Sequence, residues 1–351
     1  MFINNNVQLK QFYKECQKDK KIGVDTEFYW KDTYQPRLCL IQIATKRKIA
    51  ILDPIVYDLD LKYIKCLLEN PNILKVFHSA KQDIQIFFNL FNIIPKNIFD
   101  IQIGVLPLGF NNSSSLKEIV KSFTDRDLIK DYQYLDWRER PLKEEQIIYA
   151  ENDVKYLLET FEKIIIQLKF FRRKSWINDL HKNLIKISSY RKENSAWKKI
   201  NFNKPRSHEI KLLKQISKIR EVYAKENNLV VKKIISDSDL LKLCKLNVPI
   251  CVKKKIINKI DHEKFKDKIK SIKLEKNTRE VTLNQRDERH RKKIKKLKKI
   301  LLKKADILNI KPNVIANRKE LEDLIINKNM LFFKGWKKKI LDENIIKLIM
   351  N

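Results

Sequence analysis

The 351-residue chain has little glycine and proline, 4 and 9 residues, too few for collagen, glycine-rich low complexity or solenoid turns. Its five cysteines, Cys16, Cys39, Cys66, Cys244 and Cys251, are scattered and form no C-x-x-C pair, which speaks against a disulfide framework or a zinc knuckle. No apolar run reaches 18 residues, since even Ile98 to Phe110 is broken by Asp100 and Gln102, so no membrane span is expected. MFINNNVQLK lacks the basic region, apolar stretch and cleavage site of a secretory signal. These absences predict a soluble, cytoplasmic protein without membrane association. Apolar residues, at 43% with 17 Phe, 11 Tyr and 5 Trp, are too plentiful for a disordered chain.

Basic charge is in excess, with 76 Lys and Arg against 43 Asp and Glu, a formal net charge of +33. Lys, Ile and Asn are frequent throughout, and a compositional bias of that kind would spread evenly. The charge does not. Residues 1–170 carry 25 basic and 23 acidic side chains, and the remainder carry 51 and 20. The second half therefore points to a polyanionic partner while the first does a different job.

Short β-rich runs alternate with helical patterns in the first 110 residues, predicting an α/β layer around a mixed sheet. Ile22 to Glu27, Leu38 to Ala44, Lys48 to Leu52 and Ile73 to Phe77 read as strands. Lys62 to Glu69 and Lys81 to Phe91 read as helices, a third begins near Ser115, and one long helix is expected from Pro141 to Phe170. Beyond Phe171 amphipathic segments take over. The expected division is 1–170 for an α/β domain, 171–204 for a helical linker, and 205–285 and 286–351 for two all-α modules. The best linkers lie at 201–208 and 276–291. Arg291 to Lys299, with its apolar stripe of Ile294, Leu297 and Ile300, reads as a helix with a basic face.

Asp25-Thr-Glu27 ends an apolar run, so a strand there projects both carboxylates from one face. A bare D-x-E is weak, and Asp261-His-Glu263 repeats the spacing after a lysine-rich segment where it reads as surface. Asp83 falls in the first turn of a helix, where simple dipole stabilisation would also place an acid. Asp153 lies four residues after Tyr149 on one helix face, a spacing that Tyr132 and Asp136 repeat in a loop-like stretch. Together the four carboxylates form the oxygen-rich cage that hard cations such as Mg²⁺ or Mn²⁺ require. Two such ions suit phosphodiester hydrolysis. A tyrosine beside them, with an ordinary pKa of about 10, can orient the attacking water.

The runs Ile22-Gly-Val-Asp-Thr-Glu-Phe, Tyr34-Gln-Pro-Arg-Leu-Cys-Leu-Ile-Gln-Ile, Lys75-Val-Phe-His-Ser-Ala-Lys-Gln-Asp, Asp136-Trp-Arg-Glu-Arg-Pro-Leu and Gln146-Ile-Ile-Tyr-Ala-Glu-Asn-Asp-Val resemble the bacterial ribonuclease D family in order and spacing. The resemblance implies a ribonuclease H-like exonuclease domain with Asp25, Glu27, Asp83 and Asp153 as ligands of two divalent cations and Tyr149 as the water-positioning residue. Further on, 208–244, Lys303-Lys-Ala-Asp-Ile-Leu-Asn-Ile, Asn317-Arg-Lys-Glu-Leu-Glu and Gly335-Trp-Lys-Lys resemble two HRDC modules, small helical nucleic-acid-binding domains. The activity implied by the resemblance is that of a metal-dependent 3′-to-5′ exoribonuclease releasing nucleoside 5′-monophosphates. Its expected substrates are tRNA precursors with 3′ extensions, and no obligate protein partner is evident.

Thr26, Phe28, His78, Trp137 and Arg138 are substrate-contact candidates. Phe28 is a wedge beside the site or a buried ring, His78 and Gln42 read as structural, and Trp137 anchors its loop or touches substrate. Two other functions remain open at this point: a 3′-to-5′ DNA exonuclease, because a carboxylate cage does not distinguish sugars, and a nonenzymatic RNA-binding protein on the same scaffold.

Overall fold

In the computed structural model, which describes every residue except 129–134, 183, 188–189, 191–194, 203–204, 273–283, 341 and 351, the first half of the chain builds a six-stranded mixed sheet. Its strands are β1 (Phe2–Ile3), β2 (Lys21–Tyr29), β3 (Arg37–Ala44), β4 (Ile49–Leu52), β5 (Leu74–Phe77) and β6 (Ile98–Asp100), in the order β1-β4-β3-β2-β5-β6. β2 pairs antiparallel with β3 and β3 with β4, whereas β5 runs parallel to β2 and β6 parallel to β5. Parallel neighbours need a crossover, and α3 (Lys81–Phe91) supplies the one from β5 to β6, after which the short α4 (Ile101–Gly104) follows directly.

Alternation along β2 divides its residues between two layers. Ile22 and Val24 join Leu9 and Phe12 of α1 (Asn6–Lys18), Leu67 of α2 (Lys62–Glu69), and Ile84 and Phe87 of α3 in one core. The opposite face is covered by α5 (Leu116–Thr124), α6 (Glu144–Lys155) and α7 (Leu157–Phe170), whose Ile119, Val154, Leu157 and Ile164 pack on Val76 and Phe99. Gly23 faces that layer. A Cβ there would lie 3.3 Å from both Leu157 Cβ and the Val154 carbonyl, so its bare backbone lets the junction of α6 and α7 press against β2, one residue from Asp153. Gly23→Val tests this. β-propensity alone would favour valine by up to ~1 kcal/mol, but overpacking costs about 1–3 kcal/mol, so the urea midpoint should fall and turnover with it. A raised midpoint would show that the contact is slack.

The single helix expected from Pro141 to Phe170 is two. Arg140 and Pro141 lie before the first turn, and α6 starts after Lys143, whose backbone N–H donates to the Gln146 side chain. The chain bends at Tyr156 (φ −104°, ψ 1°), because α6 must lie over β2, β3 and β4 while α7 packs on β5 and α5. Apolar spacing runs unbroken through the bend, so periodicity does not reveal it.

The second half contains no strand among the described residues. α8 (Trp176–His181) follows the sheet domain. Next come α9 (Ser207–Glu226), α10 (Val231–Ile234), α11 (Asp237–Cys244), α12 (Ile250–Asn258) and α13 (Glu263–Lys270), which share a core of Leu212, Ile216, Leu240, Leu243 and Phe265. α14 (Asn284–Ile307), α15 (Pro312–Ile315), α16 (Arg318–Ile326) and α17 (Glu343–Met350) share another around Leu297, Leu301, Ile315, Leu324 and Ile345. The linker expected over 276–291 is helical from Asn284 onward, because burial of Leu297 and Leu301 fixes the helix that its basic residues continue. Residues 276–283, Asn203 and Lys204 of the other expected linker, and Tyr132 lie outside the described residues.

Both helical units dock on the sheet domain. Arg173 donates to the carbonyls of Pro107, at 2.5 Å, and Leu308, at 2.7 Å, Leu106 enters the last core, and Trp176 stacks on Trp336 with centroids 4.0 Å apart. The loop after β2 meets the other unit, where Asn228 Oδ1 accepts from the Tyr34 N–H at 3.1 Å and Lys233 pairs with Asp32 at 3.5 Å. No helix among the described residues is long and apolar enough to cross a membrane.

Candidate metal centre

β2 delivers Asp25 and Glu27 to one face of the sheet, and α6 crosses above them with Tyr149 and Asp153 one helical turn apart. Carboxylate oxygens of Asp25, Glu27 and Asp153 all lie within 4.8 Å of one another. Asp83, in the first turn of α3, stands beyond that triplet and is fixed from the side, where the Thr26 hydroxyl donates to its Oδ1 at 2.5 Å. Glu27 and Asp83 are buried, while Asp25 and Asp153 are half-buried.

Burial pushes the Asp25 and Glu27 carboxyls well above their ordinary range. The negative charges of Asp83 and Asp153 raise both further, and that of Glu27 raises Asp25. Asp83 is pushed up to about 7 by desolvation, against which the Thr26 hydrogen bond works. Among the described residues no Lys or Arg forms an ion pair with Asp25, Glu27 or Asp83. Like charges gathered in a dry site without a cation of their own are what a bound divalent ion stabilises. All the donors are hard oxygens, so the set fits a hard divalent cation and not a thiolate-seeking metal.

Desolvation, followed by the charges of Asp153, Glu27 and Asp25, holds the Tyr149 hydroxyl above its usual pKa, and Asp153 accepts its hydrogen bond. It stays protonated near neutrality and acts as a donor. Its ring lies 6.0 Å from that of Trp137.

Around this centre, most of the substrate-contact candidates are already engaged by the protein. Thr26 is 4% exposed, and its hydroxyl is committed to Asp83. Phe28 is half-buried and follows the β-bulge between Glu27 and Phe28. His78 Nε2 lies 3.2 Å from the Ser114 carbonyl, and burial lowers its pKa. Trp137 is 1% exposed in a core with Tyr29, Leu40 and Ala150. Arg138 grips Asp136 with two nitrogens, at 2.9 and 2.7 Å, and stacks 3.4 Å from the centre of the Tyr29 ring. Asp261 and Glu263 are exposed at the start of α13, as a surface reading requires.

Two supports escape the sequence reading. Asp100 is buried, and its carboxylate accepts the N–H groups of Ser79 (3.1 Å) and Ala80 (3.0 Å). It thereby holds Ser79 at φ +57° and fixes where α3, and with it Asp83, begins. The signal was an acid inside the apolar run at Ile98. Arg140 donates to both oxygens of Asp53, at 2.6 and 2.8 Å, and to the Trp137 carbonyl at 2.8 Å, which ties the loop before α6 to the sheet.

Comparison with known proteins agrees with this geometry. A 3′-5′ exonuclease family model matches residues 1–169. A ribonuclease D of Bartonella henselae is 33% identical over 334 residues, covering 91% of this chain and 82% of that protein. One from Sphingobium indicum is 32% identical over 240 residues, 68% of this chain and 62% of that protein. The crystal structure of Escherichia coli RNase D, described as an exoribonuclease involved in structured RNA processing, superposes with a TM-score of 0.78 at 21% identity. The superposition covers 100% of this chain and 98% of that one.

Proposed function

The chain belongs to the ribonuclease D family and is a 3′-to-5′ exoribonuclease, and from that premise we propose that Asp25, Glu27, Asp83 and Asp153 hold two divalent cations, Mg²⁺ or Mn²⁺, at the 3′ end of an RNA. The supporting observation is the set of three carboxylates of Asp25, Glu27 and Asp153 within 4.8 Å of one another. When bound, the ions supply the positive charge that acidifies a water and stabilises the leaving oxygen of the terminal phosphodiester. Tyr149 keeps its proton, which it gives to Asp153 in a hydrogen bond, and orients that water by accepting a hydrogen bond from it on the phenol oxygen, whose direction Asp153 fixes. Thr26 and Asp100 act behind the site by holding Asp83 and the helix that carries it.

The helical half, which resembles two HRDC modules over about 205–285 and 286–351, supplies phosphate binding without sequence reading. Precursors of tRNA with 3′ extensions are the substrates this division of labour suits, in the cytoplasm. Incubation with a 3′-extended tRNA precursor should release nucleoside 5′-monophosphates stepwise from the 3′ end, only with Mg²⁺ or Mn²⁺ and faster than from a DNA strand of the same sequence. Internal cuts, or preferential digestion of the DNA, would contradict the proposal.

A further inference from the structure

β3 brings one polar side chain under α6 that the chemistry above does not use. Gln42 is 0% exposed, and neither its Oε1 nor its Nε2 has a hydrogen-bond partner. It stands directly opposite Asp25 in the antiparallel register of β2 and β3. Directly opposed residues project to the same face with Cβ atoms about 4.5–5.5 Å apart, so the amide and the carboxylate rise side by side. Across β3, the residue opposite Gln42 is Ile51, which is buried in the core formed by Trp137 and Ala150. Its surroundings on that side are apolar.

A buried amide that satisfies nothing is destabilising, a cost that leucine or methionine at the same position would avoid. Its neighbour explains what it is for. A carboxylate has about four lone-pair sites, and a cation bound through one oxygen leaves the other to be fixed. An amide N–H does this without adding charge, whereas a lysine there would compete with the cation. We propose that Gln42 is a positioning residue for the metal centre: when the divalent ion binds, its amide donates to Asp25 and holds that carboxylate in the rotamer that grips the ion. The proposal rests on the metal-site reading above and deepens it.

The test is Mn²⁺ binding by the full-length protein, measured by calorimetry, for the wild type, Gln42→Met and Gln42→Asn. Methionine keeps the length and removes the amide, while asparagine keeps an amide one methylene short. Loss of such an outer partner weakens metal affinity about 10–100-fold, so the Kd for Mn²⁺ should rise at least ~10-fold in Gln42→Met and less in Gln42→Asn. Turnover of Gln42→Met should recover at high Mn²⁺ with KM for RNA unchanged, and its Tm in chelator should equal or exceed that of the wild type. A wild-type Kd in Gln42→Met overturns the proposal, and so does its failure to fold, because that would show the amide serving the scaffold. A wild type that binds no Mn²⁺ would instead bring down the metal-site reading itself.

Discussion

Asp25→Asn should leave a folded protein that binds RNA and does not cut it. A metal centre supplies several kcal/mol of transition-state stabilisation, and a loss of ~4 kcal/mol corresponds to about 10³-fold in rate. Turnover should therefore fall at least ~10³-fold in a single-turnover assay. RNA affinity, which the proposed division of labour assigns to the helical half of the chain, should stay within about twofold. The same substitution removes a half-buried carboxylate whose ionisation is opposed by desolvation and by the charges of Asp83, Asp153 and Glu27. In chelator, Asp25→Asn should thus melt no lower than the wild type, since relief of like charge outweighs one lost acceptor. Loss of binding with turnover preserved would contradict the division of labour. A variant that unfolds would show that Asp25 supports the sheet.

The second large effect concerns salt. Lys295, Lys296, Lys298 and Lys299 are exposed on α14, with Leu297 buried between them. Changing all four to Gln should flatten the dependence of RNA affinity on salt. On single strands each phosphate contact contributes a slope of about 0.7 in log K against log salt, so the slope should shrink by up to ~3. Turnover at saturating substrate should not change. An identical slope would assign the basic face of α14 to solvent alone. These substitutions are a cleaner test than deleting residues 205–351, because deletion would strip Leu106 of the core it enters and the Arg173 guanidinium of the Leu308 carbonyl.

Local chemistry made much of this legible in the chain itself. β2, β3, α2 and α3 follow from alternation and from apolar spacings of three and four, and Asp25 and Glu27 share a face because a strand has period two. The 13-residue α1 had the same kind of signal, Leu9, Phe12 and Cys16 spaced by three and four, yet drew no expectation among so many polar neighbours. What stayed hidden depends on pairing between distant segments. The bend at Tyr156 comes from two different surfaces beneath one continuous apolar stripe. Asp100 acquires its role only when β6 lies beside β5 and brings its carboxylate to the turn at Ser79. Gln42 reads as structural until the β2–β3 register sets it opposite Asp25 with no partner of its own. Arg138, a substrate candidate by sequence, is held by Asp136 and the Tyr29 ring, contacts that no spacing rule anticipates.

On the function proposed above, acids from one strand and two helices share divalent ions. Anomalous diffraction from crystals of the full-length protein soaked in Mn²⁺ tests it most directly. Peaks among Asp25, Glu27 and Asp153, with Asp83 closing one side, are the predicted result. Crystals that bind Mn²⁺ elsewhere, or show those carboxylates paired with lysines and turned away from one another, would contradict it.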